Sequence, residues 1–211
     1  SVLQRSLEYV ERRDRWRGLA REILHGGTLN GERVLDILRT EAPDYLLLAG
    51  VGIVNDACLT IPKRGTINAH PGLLPWARGS GVVARSIEQR IAVGATAHLV
   101  DAGVDTGPTL RRVLVPVLES DTLETLERKA AETCTELLAR TVSEHPADSA
   151  IEGVPQSERR PAFTWPSAEE RRRIEADIAA GVAVETYVTW RSAARGDVLS
   201  DHFVAPPGSP T

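Results

Sequence analysis

Asn68 and His70 are separated by one residue, and on a β-strand that spacing puts both side chains on one face. Asp105 stands in Val104-Asp105-Thr106-Gly107-Pro108, a loop whose glycine permits unusual backbone angles. Together they offer an amide donor, a titratable imidazole and a carboxylate, near strand ends and among apolar residues. Acyl transfer to an amine needs such groups. The donor carbonyl becomes a tetrahedral oxyanion, which a fixed hydrogen-bond donor stabilises. The attacking nitrogen must be neutral and must then lose a proton. A carboxylate beside the imidazole raises its pKa and holds its orientation. Residue types alone leave a second reading open, in which Asn68 and His70 only satisfy backbone groups near a turn. His98 shares a strand face with Thr96 and reads as a structural histidine unless its partner is catalytic.

The elements that must position these groups follow from periodicity. Residues 2–24 read as a charged helix with Leu3, Leu7 and Val10 at helical spacing, stopped by Gly26-Gly27. Asn30 is placed to cap a helix carrying Val34, Leu35, Ile37 and Leu38. Residues 45–50 read as a strand buried on both faces, as in a parallel sheet, followed by a Gly50-Val51-Gly52 loop and a short helix from about Asn55. Residues 66–70 form a short strand ended by Pro71-Gly72, and residues 81–90 look helical. Along 93–100, Val93, Ala95, Ala97 and Leu99 face one way and Thr96 and His98 the other. A turn at 101–103 leads to a strand over 109–118, where Pro116 argues for a strand end. Asp121 and Glu124 suggest a capping box ahead of a helix with Leu123, Leu126, Ala130, Cys134, Leu137 and Leu138 on one face. Ser167 and Glu170 cap a last helix to about Ala180.

This alternation predicts an α/β fold with a doubly wound, mostly parallel sheet and helices on both faces. Ligands then bind beyond the carboxyl ends of strands, here Gly50–Asn55, Asn68–Gly72 and Asp101–Gly107. The expected organisation is a catalytic core over 1–144, with an atypical helix in 1–27, then a connector over 145–166 and a small C-terminal extension over 167–211. In that extension Tyr187, Trp190 and Phe203 either pack back on the core or build a partner surface.

Composition excludes several function classes. With 211 residues, 42% hydrophobic, the chain can bury a core, and a net charge of −4 offers no overall field for nucleic acid or an anionic membrane. Arg171, Arg172 and Arg173 read as a solvated helix face. Two distant cysteines, Cys58 and Cys134, make neither a disulfide scaffold nor a zinc site, and no histidine pair has metal-ligand spacing. Gly79-Ser80-Gly81 lacks the pattern of a nucleophile elbow. No apolar run reaches membrane-spanning length and the N-terminus shows no secretory pattern, so a cytoplasmic protein is expected. A chain that starts at Ser1 and holds no Met reads as processed or trimmed.

Asn68-Ala69-His70-Pro71-Gly72-Leu73-Leu74-Pro75, then Arg78-Gly79, resembles the signature of the folate-dependent formyltransferases. That family includes the glycinamide ribonucleotide, methionyl-tRNA and sugar amine enzymes. The block from Gly94 to Pro108 also resembles the family's, at the expected distance downstream, and Ala49-Gly50-Val51-Gly52-Ile53 resembles the loop that frames its folate pocket. Gln156 resembles a segment after the last core helix, and the resemblance spans roughly residues 28–165. It implies a Rossmann-like core, 10-formyltetrahydrofolate as formyl donor and a small-molecule amine as acceptor. It assigns Asn68 as donor to the oxyanion, His70 as charge stabiliser or proton shuttle, and Asp105 as the group that orients and polarises His70. The pterin ring is expected against backbone at Val51, Gly52, Ile53, Val54 and Asn55 and at Val100, Asp101, Gly103 and Val104. Trp76, Arg78 and Ser80 are candidates for the acceptor side.

The chain also departs from the pattern. Nothing before Tyr45 reads as the family's opening strand and glycine loop, so that unit is missing, trimmed or replaced. About 45 residues follow 166, too few for the basic barrel of the transfer-RNA enzymes, which disfavours a bulk nucleic-acid acceptor. An amino sugar, a hydroxylated ornithine-like amine and a small peptide-like amine all fit what remains. Two other readings stand beside amine formylation. In one, water replaces the amine and the chain hydrolyses formyltetrahydrofolate. In the other, it is a non-catalytic folate-binding or interaction module.

Overall fold

Strand register in this protein separates its chemistry from its core. The computed structural model describes residues 28–145, 149, 151–158 and 160–194. Strands β1 (Leu46–Leu48), β2 (Thr66–His70), β3 (Gly94–Leu99) and β4 (Thr109–Leu114) form one sheet in the order β1-β2-β3-β4. On the face behind the site, Ile67, Ala69, Ala95, Ala97 and Val113 pack against Cys134, Leu137 and Leu138 of helix α4 (Leu123–Ser143). The alternate positions, Asn68, His70, Thr96, His98 and Arg112, share the other face, because His70 pairs with Thr96, Asn68 with His98 and Thr96 with Arg112. The apolar/polar alternation read along 93–100 is the physical cause.

The sheet is α/β and mixed. β1 and β2 run parallel, whereas β2–β3 and β3–β4 are antiparallel, so the parallel majority expected from the sequence is not found among the described residues. The connection between β3 and β4 spans only residues 100–108, shorter than the dozen or more that a parallel crossover requires. β1 is also shorter than the apolar run 45–50, and Leu47 is 43% exposed, so that strand is not buried on both faces.

The helices form where expected, with different caps in places. Helix α1 (Glu32–Glu41) starts behind Gly31 with no side-chain cap. Asn30 instead reaches across the fold: its Nδ2 donates to Ile53 O at 2.8 Å and its Oδ1 accepts from Asn55 N–H at 2.9 Å. The Asn55 side chain in turn caps α2 (Asp56–Leu59) through Cys58 N–H. Helix α3 (Val82–Glu88) follows the site loop. At α4 the capping box is Thr122 with Thr125, one residue later than the Asp121–Glu124 pair suggested. Asp121 accepts from Leu118 N–H, the Thr125 hydroxyl and Lys129 Nζ, which tie the chain ahead of the helix. Ser167 and Glu170 do form the capping box of α5 (Ala168–Ala179).

A further helix, α6 (Val182–Ala194), was not foreseen. Gly181, at φ 84, makes the break before it. Ile174 and Ile178 of α5 and Val182, Ala183 and Tyr187 of α6 join the cluster formed by α3, the start of α4 and Leu73. Trp190 donates its ring N–H to Arg90 O at 3.1 Å and meets Trp76 edge-on at 5.3 Å. Both aromatics therefore face the body of the protein. Phe203 and the helix expected over 2–24 lie outside the described residues. Burial pushes the Cys134 thiol up to about 12, in keeping with a cysteine that packs as a small hydrophobe. No described helix is long and apolar enough to cross a membrane.

Gly94 links this core to the site loop. A Cβ there would lie 2.4 Å from Leu73 Cδ2 and 2.6 Å from Val113 O, and the second contact is backbone that cannot swing away. We therefore expect Gly94→Ala to destabilise the fold by about 1–3 kcal/mol, measured by denaturant unfolding. It should also displace Leu73, three residues after His70.

Candidate active site

Three chain segments meet on the polar face of the sheet. β2 supplies Asn68 and His70, β3 supplies Thr96 and His98, and the β3–β4 connection supplies Asp105. The last placement differs from a simple strand-end site. β3 is antiparallel to β2, so its carboxyl end, Leu99, pairs with Ile67 near the start of β2. The connection must double back over the sheet face to bring Asp105 to His70. That return is held by Leu99 N–H donating to Pro108 O at 2.9 Å. Gly107 allows it, since a Cβ there would fall 1.8 Å from Leu99 O.

Asp105 itself has φ 50, a left-handed conformation uncommon for residues with a Cβ and adopted by Asp more readily than by most. Its Oδ2 accepts from Gly79 N–H at 2.9 Å and lies 3.5 Å from His70 Nδ1, while Oδ1 lies 3.6 Å from His98 Nε2. The carboxylate thus sits between two imidazoles. Its side chain is 14% exposed, against 5% for His70 and 2% for His98.

Hydrogen bonding fixes the resting tautomers. His98 Nδ1 lies 2.9 Å from Leu99 O, so this nitrogen carries the proton and Nε2 is a lone pair. That lone pair accepts from Asn68 Nδ2 at 3.2 Å. The contact orients the Asn68 amide and leaves its second N–H for another acceptor. His70 Nε2 donates to Ala77 O at 2.9 Å, which leaves Nδ1 unprotonated in the neutral ring and facing Asp105. Protonation of Nδ1 would fill the gap between two lone-pair-bearing atoms. His98, which sequence reasoning weighted as structural, is therefore part of the cluster. Its signal was its place on the same face as Asn68 in a paired strand.

Burial is the largest influence on both imidazoles and pulls each below the usual 6.5, while Asp105 raises both. For His70, the bond to Ala77 O also raises it, and His98 and Arg78 lower it.

The remaining expected site residues fall into distinct settings. Val51, Gly52, Ile53, Asp101, Gly103 and Val104 are exposed, as is Asn55, whose backbone N–H is held by Asn30; Val54 and Val100 are half-buried. Asp101 Oδ1 accepts from Gly103 N–H and from the Thr106 hydroxyl, which folds the loop on itself. Ser80 is exposed. Trp76 is partly buried, with Arg112 Cζ 5.5 Å above its ring. Arg78 is 8% exposed, and its guanidinium faces the chain's own backbone. Nε and Nη2 donate to Val104 O at 3.1 and 2.6 Å, and Nη1 donates to Arg160 O at 2.5 Å. Thr96 was given no role from sequence, yet it holds the loop after His70, donating to Gly72 O at 2.7 Å and accepting from Leu74 N–H at 3.1 Å. Among the described residues, no group of three or more His, Cys, Asp or Glu is placed to hold a metal ion.

The depressed imidazole pKa values set a pH dependence of stability. The unfolded chain takes up protons near 6.5, before the folded chain does. Stability present above 6.5 is then lost as pH falls through the window between 6.5 and the lower folded values. Urea midpoints should drop on acidification below that point. In Asp105→Asn the drop should extend further into acid, because the carboxylate that raises both groups is gone.

The formyl transferase family model matches residues 19–142, more than half of the chain. The methionyl-tRNA formyltransferase of Koribacter versatilis is 36% identical over 116 residues, covering 54% of this chain and 37% of that protein. The phosphoribosylglycinamide formyltransferase of Mycobacterium tuberculosis is 42% identical over 103 residues, 48% of each chain. The chain thus spans about a third to a half of the length of these curated relatives. Among solved structures, a formyltransferase from Anoxybacillus kamchatkensis, in complex with UDP-4,6-dideoxy-4-formamido-L-AltNAc and tetrahydrofolate, aligns with TM-score 0.50 at 22% identity over 66% of this chain and 78% of its own. A sugar N-formyltransferase from a Shewanella species aligns with TM-score 0.54 at 20% identity over 71% and 65%. These two likenesses speak to the fold, and the match over residues 19–142 places this chain in the formyl transferase family.

Proposed function

We propose that this protein transfers the formyl group of 10-formyltetrahydrofolate to the amine of a small-molecule acceptor. The observation that carries the reading is the convergence of Asn68, His70 and Asp105 on one sheet face, with the Asn68 amide oriented by His98.

The acceptor nitrogen attacks the formyl carbon, and the carbonyl oxygen becomes an oxyanion. The Asn68 N–H not engaged by His98 donates to that oxygen. A donor fixed before the reaction stabilises the charge without reorganisation. The nitrogen then loses a proton. The His70–Asp105 pair has a vacant proton position between Nδ1 and Oδ2, and the imidazolium formed there is satisfied on both sides, by Ala77 O and by Asp105. Collapse breaks the bond from the formyl carbon to the folate nitrogen, which takes up a proton. Tetrahydrofolate and the formamide are the products.

In this reading the folate lies against the loops 51–55 and 100–104, most of whose residues are exposed. Ser80 and the edge of Trp76 lie on the acceptor side. Arg78 contributes through the backbone it holds. The acceptor is a small amine in a cytoplasmic setting.

The test is titration with a stable 10-formyltetrahydrofolate analogue, followed by formyl-transfer assays against amines of graded size. Wild type should bind the analogue and Asp105→Ala should bind it more weakly. Asn68→Ala should fold normally and lose about a hundredfold or more in turnover. Analogue binding without transfer to any amine, or wild-type rates in Asn68→Ala, would overturn the reading.

A further inference from the structure

The segment after α4 makes contacts that a passive connector has no need of. Val154 pairs with Thr109, each N–H donating to the other's carbonyl at 2.8 Å. Two residues on, Gln156 turns its side-chain amide onto the site loop, where Nε2 donates to Asp105 O at 3.0 Å and Gly107 O at 2.8 Å. Further along, Arg160 O accepts from Arg78, and Phe163 forms a bridge to Gly79, whose own N–H holds the Asp105 carboxylate.

These contacts are aimed at one residue. Arg78 grips the carbonyl before Asp105, and Gln156 grips the carbonyl of Asp105 itself. The peptide groups on both sides of a left-handed residue are thereby fixed. A left-handed backbone is less favourable at a residue with a Cβ than at glycine, even for Asp, which tolerates it better than most, and these bonds add to its hold. Rotation of either peptide would carry the carboxylate away from His70 and His98.

We infer that Gln156 and Arg78 are positioning residues that hold the Asp105 carboxylate between the two imidazoles. The inference rests on the formyl-transfer reading for its catalytic consequence, but its structural content does not. Arg78 has a role other than the acceptor contact its place in the sequence suggests. Gln156 lies beyond α4 in the chain, 51 residues after Asp105.

The test follows the imidazole titrations of His70 and His98 by NMR in Gln156→Leu and Arg78→Lys. Both substitutions preserve charge, which matters because the charge of Arg78, like those of Asp105 and His98, acts on His70. Asp105→Asn defines the response to losing the carboxylate. If the clamp holds Asp105, both titrations move downward in Gln156→Leu, by a substantial fraction of the Asp105→Asn change. Turnover should fall roughly tenfold to a hundredfold, chiefly in kcat. Gln156→Asn keeps an uncharged amide donor, one methylene shorter, and should recover part of both effects. Unchanged titrations of His70 and His98 in a folded Gln156→Leu protein overturn the inference, whatever happens to turnover. The same titrations decide it if the wild type transfers no formyl group, so failure of the two readings is distinguishable.

Discussion

A carboxylate wedged between two buried imidazoles is the constraint that organises this site. Each imidazole loses solvation on burial, and among the described residues Asp105 is the one that offers both an opposing charge. Coulomb attraction falls with distance, and at these separations a shift of an ångström changes it appreciably. The surrounding bonds can be understood as the means of preventing that shift. Gly79 N–H holds one carboxylate oxygen, the Asp105 backbone is fixed in a left-handed turn, and Gly107 lets the chain pass against Leu99. The histidines are fixed separately, by Ala77 O and Leu99 O. No single bond sets the geometry, because each of these three side chains has its own anchor.

That arrangement is compatible with a stable fold because the sheet is two-sided in chemistry. Ile67, Ala69, Ala95 and Ala97 place small and branched apolar groups against α4. The intervening residues carry every polar group of the site contributed by β2 and β3. The alanines also let α4 lie close to the sheet. Burial of the histidines comes from the loops over the polar face, so the site's dielectric is set by segments outside the sheet.

Much of this was legible in the sequence, for identifiable reasons. The Asn68–His70 spacing and the 93–100 alternation are period-2 signals that a strand converts directly into faces. The Ser167–Glu170 box is local and was found at its place. What could not be read were interactions across long sequence separations. Asn30 has the residue type of a helix cap but is used to splint the 53–55 backbone, and nothing local distinguishes the two uses. The Arg78 guanidinium and the Gln156 amide find their carbonyls only once β4 and the returning segment are in place. The antiparallel sense of β3 also escaped, because an apolar strand between helices reads alike in either direction. α6 was missed for its weak amphipathic pattern: Val188 is exposed along with Glu185 and Thr189, while Thr186 is buried.

The return of residues 151–163 onto the site has a consequence for how the protein comes into being. The segment matched by the family model ends at residue 142, before Val154, Gln156 and Phe163. During synthesis, β1 to β4 and α4 can emerge and collapse while the loop bearing Asp105 still lacks its outer supports. The site becomes complete only after the chain beyond α4 has left the ribosome and doubled back. Nascent chains ending at α4 would hold all four described strands while the loop bearing Asp105 still lacked the Gln156 amide.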